Sequence, residues 1–306
     1  MSIPSGAARV KHSTPSLKDL RIGALLNTSS GSCDEGCEQQ VLDLLEAADC
    51  KIHQMWCGTG DTVAGALEEI AGAGLDVLIV LGGDGTIRSA AETCDKDGPF
   101  LIPLPGGTMN MLPSALYGDV TWPEALAATL SSPSVQPVNS GRIGDMRFYC
   151  AAIFGDPSRW AEVREAIREG DVSKATEQGI EAVSKAFGRG LDYQFDDLSG
   201  QAEAVAVVCP LASRALEDDD TVLEAVVIDP EGPLDALKLA ARALVSEWRS
   251  DPNVETARVR KVVVRSDQPI PAILDGETVE LPAEVTVHFM RTAFRALVPS
   301  ETAPAG

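Results

Sequence analysis

No stretch of this 306-residue chain is apolar for long enough to span a bilayer, and its first sixteen residues (MSIPSGAARVKHSTPS) lack the apolar core of a secretory leader. A disordered lead-in over 1–17 and a cytoplasmic protein are therefore expected. Positive charge is scarce: 25 Lys and Arg against 46 Asp and Glu leave a formal net charge of −21. Such a surface repels a phosphate backbone, which excludes nucleic acid as a partner and disfavours tight adhesion to anionic membrane. The cysteines, at 33, 37, 50, 57, 94, 150 and 209, are odd in number and scattered, which argues for reduced thiols in a cytosol. Neither Cys33 with Cys37 nor Cys50 with Cys57 has the two-residue knuckle usual in a structural zinc site. There is no internal repeat. In Gly58-Thr59-Gly60-Asp61-Thr62-Val63, valine stands where a dinucleotide fingerprint needs its third glycine, so a dehydrogenase has little support.

What the chain does have is the stretch LDVLIVLGGDGT over 75–86. An apolar run of strand length, 77–81, ends in Gly82, Gly83, Asp84, Gly85 and Thr86, and helical spacing resumes at Ile87, Ala90 and Ala91. A buried strand that delivers a glycine loop to a helix start suits phosphate, because amides point outward and the helix dipole adds positive potential. Strand–glycine–helix turns also occur as plain connections in α/β folds. Asp84 is the unusual residue: a carboxylate beside polyphosphate repels it unless a metal ion or a hydroxyl proton lies between them.

Around this stretch the first half reads as repeated βα units. Strands are expected at 20–26, 51–56, 77–81 and 100–104, and helices over 34–49, 62–73, after Thr86, and up to Leu116. Glycine loops follow successive strands, the last being Pro105-Gly106-Gly107-Thr108-Met109-Asn110. In a parallel sheet these loops face one crevice. The second half changes character: strands at 138–143, 148–154, 202–209, 222–228, 257–264, 270–274, 278–281 and 285–289 are interrupted by helices over 158–187 and 233–248. The charge on 158–187 reads as a solvated helix face. The expected architecture is a doubly wound α/β nucleotide-binding domain over 18–137, then an antiparallel β-sandwich over 138–290, with an active site in the cleft between them. His53, inside a strand pattern, reads as packed.

Taken together these segments resemble the diacylglycerol kinase catalytic-domain family, which includes bacterial lipid kinases and sphingosine kinases. Gly82–Thr86 matches its nucleotide signature, 27–31 resembles its loop after the first strand, and 105–110 its glycine-threonine-x-asparagine segment. Residues 138–155 and 270–299, the latter with Asp275-Gly276-Glu277, follow its pattern in order. The resemblance implies an ATP-dependent, Mg²⁺-assisted kinase acting on a lipid or other hydroxyl-bearing small molecule, and a last strand near 291–299 that returns to the first domain. It implies that Asn27, Ser29, Ser30, Gly31, Thr59, Gly82, Gly83, Gly85, Thr86, Thr108 and Asn110 bind ATP. Asp84 would sit near metal and phosphates, and Glu277 would take the acceptor proton. Asp220, within Asp218-Asp219-Asp220, falls where bacterial members hold a structural Mg²⁺, although three acids in a row also suit a solvated turn. Asp-Gly is likewise a favoured hairpin dipeptide, so 275–277 reads as a hairpin or as a catalytic segment. The chain departs from the family at Arg88-Ser89 (for Asn-Glu), Met111 (for Asp) and Asn139 (for Asp). A small-molecule kinase of the NAD kinase type and a non-catalytic nucleotide-binding regulator are the alternatives. The lipid-kinase reading leaves room for transient contact with a membrane surface and for a homodimer.

Overall fold

The computed structural model describes residues 16–34, 36–155, 190–196, 198–228, 249 and 254–300. The helices expected over 158–187 and 233–248, most of the lead-in and the terminal ETAPAG lie outside the described residues.

Four βα units open the chain: β1 (Ile22–Asn27), α1 (Cys37–Ala47), β2 (Ile52–Gly58), α2 (Gly60–Gly72), β3 (Val77–Gly82), α3 (Asp84–Cys94), β4 (Phe100–Pro105) and the short α4 (Met111–Tyr117). The strands are parallel in the order β2-β1-β3-β4. Strand alternation divides their side chains between two layers. Ala24, Leu26, Val77, Ile79 and Leu81 pack with Val41 and Leu45 of α1 on one face. Leu25, Leu78 and Val80 pack with Ile70 of α2 and with Ile87 and Ala91 of α3 on the other. Both faces being covered, these strands read as unbroken apolar runs. All of β3 is buried, and each of its five aliphatic side chains contributes roughly 1.5–3 kcal/mol by burial, which anchors the glycine loop that follows.

A helix not expected above, α5 (Trp122–Ser131), completes the α1 face through Trp122, Leu126 and Leu130, which recur every fourth residue. Its signal was in the sequence as a capping box: Thr121 N and Oγ1 both donate to Glu124 Oε2, at 2.9 and 2.6 Å.

From here the strands pair antiparallel, except where the last joins β4 in parallel. The strands are β5 (Pro133–Ile143), β6 (Met146–Phe148), β7 (Ala151–Phe154), β8 (Leu191–Phe195), β9 (Leu198–Ala202), β10 (Ala204–Val208), β11 (Leu223–Ile228), β12 (Val254–Val259), β13 (Lys261–Arg265), β14 (Ile270–Leu274), β15 (Glu277–Leu281) and β16 (Glu284–Pro299). One six-stranded sheet runs β12-β11-β10-β7-β14-β15; the others extend the parallel sheet to ten strands. Phe148, Leu191, Phe195, Val262, Val264 and Val287 from the larger sheet meet Phe154, Val205, Val207, Leu223, Ala225 and Ala272 from the smaller, giving a sandwich core. The molecule is thus an N-terminal α/β domain with a parallel sheet and a C-terminal antiparallel domain. Among the described residues no helix is long and apolar enough to cross a membrane.

Strand limits differ from expectation where the chain changes sheets. The stretch 257–264 is two strands, because the chain leaves the smaller sheet at Val259 and enters the larger at Lys261. The stretch 148–154 breaks at Tyr149 and Cys150, whose amides are taken by Asp275. β16 is one strand of 16 residues that pairs with β13 through 284–288 and with Leu101 of β4 at Ala296, with an irregularity between Met290 and Phe294 where Thr292 has φ 49°. His53 is exposed on β2, its Nε2 lying 2.8 Å from Arg21 Nη2, not packed as its strand context suggests.

Candidate active site

The loops after β1, β3 and β4 meet at the carboxyl ends of the parallel strands and are stitched together by their own backbone. Ser32 N donates to Gly106 O at 3.0 Å, Gly106 N to Gly82 O at 3.1 Å, and Thr28 N to Gly58 O at 2.9 Å. Asn27, at the end of β1, donates from Nδ2 to Thr86 Oγ1 at 2.8 Å and accepts from Ser29 N at 3.0 Å; its carbonyl accepts from Ser30 N and Oγ. One asparagine therefore couples the first loop to the start of α3.

Close approach explains the glycines here, and the neighbours are other loops. A Cβ on Gly106 would lie 2.8 Å from Gly82 N, and one on Gly107 2.8 Å from Gly83 Cα. Asn110 holds a left-handed conformation (φ 49°, ψ 43°) and clamps its loop by accepting from Gly107 N at 2.7 Å and donating to Gly107 O at 2.9 Å. Both ends of its amide are engaged within the loop. Ser29, Gly31, Thr59 and Thr108 are exposed on the rim of the crevice; Ser30, Gly83, Gly85 and Thr86 are half-buried below them.

Asp84 is the first residue of α3. Its Oδ1 accepts from Met111 N at 2.6 Å, a backbone contact that any residue but proline at 111 would supply. Burial pushes the Asp84 carboxyl above its ordinary value; the amides of Met111 and Asn110 oppose this, and the Glu277 carboxylate adds to it.

Glu277 reaches the same helix from the other domain. β14 and β15 are joined by a two-residue turn in which Asp275 (φ 46°) and Gly276 (φ 88°) both have positive φ, the geometry for which Asp-Gly is favoured. The turn's two acids then part. Asp275 points inward, 5% exposed, and accepts from the amides of Tyr149 (2.6 Å), Cys150 (2.8 Å) and Ala151 (2.9 Å). Burial raises its pKa despite these donors. Tyr149 in turn packs edge-on against Phe294 of β16, with centroids 5.2 Å apart. Glu277 faces the crevice: a Cβ on Gly85 would collide with its Oε1, and its Oε2 pairs with Arg88 Nη2. The hairpin and the acidic site are therefore one object, with Asp275 seating what Glu277 presents.

Asp275→Asn is expected to lower the unfolding free energy by about 2–4 kcal/mol, since one amide oxygen replaces a carboxylate that serves three buried N–H groups. Urea denaturation measures it, and a loss below about 0.5 kcal/mol, the range of ordinary surface substitutions, would remove Asp275 from this role.

In the acidic triplet at 218–220 two carboxylates are engaged by neighbours, and the third residue is reached through its backbone. Asp218 pairs with Arg258 at 2.6 Å, Asp219 accepts from Thr221 N and Oγ1, and Asp220 offers its carbonyl to Asn139 Nδ2 at 2.6 Å. Asn139 also accepts from Thr292 N at 2.8 Å. An aspartate there could accept but not donate, which accounts for the asparagine at 139. Among the described residues no group of three or more His, Cys, Asp or Glu could hold a metal. A Mg²⁺ carried largely by substrate phosphates needs only one or two protein carboxylates, and Asp84 fits that donor set.

All seven cysteines are free thiols, and Cys57, beside Gly58 in the crevice rim, is the exposed one. Cys33 and Cys37 are buried with Sγ atoms 2.6 Å apart, and burial pushes Cys94 up to about 12. Maleimide treatment of the folded protein should label Cys57 first, a label that Cys57→Ser removes and that mass spectrometry detects. A cavity of about 460 Å³, lined by Leu75, Asp76, Pro99, Phe100 and Arg295 among others, lies at the amino ends of β3 and β4, away from these loops.

Residues 21–143, from β1 through β5, match the diacylglycerol kinase catalytic domain. Two solved structures from Bacillus anthracis are similar over most of the chain. One, a diacylglycerol kinase, is 15% identical, with a TM-score of 0.65, and the match covers 93% of this chain and 97% of that one. The other, a candidate diacylglycerol kinase, is 19% identical, with a TM-score of 0.67 and coverage of 93% and 98%. At these identities the likeness is one of fold, and it extends to the β-rich half that the domain match leaves out. Over residues 21–143, then, the chain is matched by the kinase-like diacylglycerol kinase catalytic domain, and over 93% of its length its fold is similar to that of diacylglycerol kinase-like structures.

Proposed function

We propose that this protein is an ATP-dependent lipid kinase that transfers the γ-phosphoryl group to a hydroxyl of diacylglycerol or a related lipid. The observation that carries the reading is the meeting of Glu277 with Gly85: two carboxylates, Asp84 and Glu277, come from different domains to the first turn of one helix. An alcohol is too weakly acidic to attack phosphorus unaided. Glu277 accepts the hydroxyl proton, the acceptor oxygen bonds to the γ-phosphorus, and the bond from that phosphorus to the β-bridging oxygen breaks. The rim residues Asn27, Ser29, Ser30, Gly31, Thr59 and Thr108 and the loop Gly82–Thr86 orient the nucleotide, while Asn110 shapes its own loop. Asp84 would hold Mg²⁺, which when bound would supply positive charge against the phosphates.

In this reading 18–137 with the strand near 291–299 forms the nucleotide half and 138–290 the acceptor half. The thioethers of Met109 and Met111 flank Gly276, and Met109 is 59% exposed, which supplies apolar surface beside Glu277 for the lipid. This reading keeps the protein in the cytoplasm and leaves room for transient contact with a membrane surface and for a homodimer. Incubation with labelled ATP, Mg²⁺ and a panel of lipids is the test. Labelled phospholipid is the expected product. Label in NADP would replace this reading with an NAD kinase-like one, and nucleotide binding without transfer to any acceptor would replace it with a regulatory one.

A further inference from the structure

Arg88 follows Asp84 by one turn of α3. Its guanidinium pairs with Glu277 Oε2 while Glu277 Oε1 rests against Gly85. We infer that Arg88 is a positioning residue for phosphoryl transfer, holding the Glu277 carboxylate over the first turn of α3. This role rests on the lipid-kinase reading above.

The need for such a residue follows from Glu277 itself. Its side chain is 42% exposed at the start of β15, and a free glutamate spreads over several rotamers. A general base works only within hydrogen-bond reach of the proton it removes, and small displacements cost rate steeply. Two restraints confine this one: Gly85 leaves room for the carboxylate, and Arg88 draws it in. Asparagine at 88 would offer a shorter, neutral donor. A guanidinium adds charge and a rigid fork suited to a carboxylate. Arg88 is also the positive group that acts on Asp275 and, with Arg147, on Glu92, so it offsets charge in a carboxylate-rich corner.

The pair is only partly buried, its side chains 24% and 42% exposed, and such pairs add little to stability. Stability and rate should therefore separate. Arg88→Ala is expected to lower kcat by about ten- to a hundredfold, to leave KM for ATP within about twofold and to leave Tm nearly unchanged. Arg88→Lys should restore part of the rate. In a Glu277→Gln background, Arg88→Ala should cost nothing further, since the group it positions is already gone. The inference falls if Arg88→Ala turns over at the wild-type rate, or if it raises KM for ATP by the same factor in both backgrounds, the behaviour of a direct phosphate ligand. It also falls if Arg88→Ala lowers Tm while turnover per folded molecule stays normal. A wild-type protein that phosphorylates no acceptor would remove the kinase reading beneath it; the outcomes above, seen in an active wild type, remove this role alone.

Discussion

Asp84→Asn is expected to reduce phosphoryl transfer by at least about a thousandfold while leaving the fold intact. The substitution preserves shape and an acceptor oxygen for Met111 N, so the contact between the starts of α3 and α4 survives. What disappears is the negative charge that, in the proposed reading, would face a phosphate-bound cation. Because burial raises the Asp84 pKa in the folded protein, ionisation there opposes folding: stability associated with this group is fully present below about 3.8, the ordinary Asp value, and is lost as pH rises through the raised value. Asp84→Asn should remove that loss and leave Tm at neutral pH equal to or slightly above wild type. Full activity in Asp84→Asn, measured with labelled ATP, would take the residue out of the mechanism.

Glu277→Gln is expected to lower kcat by about 10²–10⁴-fold with ATP affinity nearly unchanged. Gln keeps the length of the side chain and its place against Gly85, but it cannot accept the acceptor's proton. The turn is held by Asp275 through three amides and by the positive φ of Gly276, neither of which involves the carboxylate at 277. Stability should thus stay close to wild type, which separates this variant from Asp275→Asn, where folding suffers. Removing the Glu277 charge also relieves one of the causes that raise the Asp84 pKa. Normal turnover per folded molecule accompanied by lowered stability would make Glu277 a structural residue of the hairpin and would withdraw the proposed chemistry.

Much of the first domain was legible because it is locally encoded. β3 and β1 are apolar runs that end in glycine or asparagine, and α2 and α3 carry apolar residues at helical spacing, so each element announces itself within about a dozen residues. The Asp-Gly turn was legible for the same reason, since two adjacent residues define it. The second domain was less so. Its β12 to β13 step, from one sheet to the other, leaves the alternation of the sequence undisturbed, and β16 hides its continuity behind a single irregularity near Thr292.

The candidate site divides along the same line. Sequence by itself determined which loops exist, that they follow parallel strands, and that acids stand at 84, 275 and 277, because these are properties of short segments. Tertiary structure alone decided that Asp275 turns inward to amides more than 120 residues away while Glu277 meets Gly85 and Arg88 of α3. Both carboxylates sit on one turn with the same local pattern. What parts them is which partners the packed sheets bring to each side of it, and burial allows a carboxylate only where donors already wait for it.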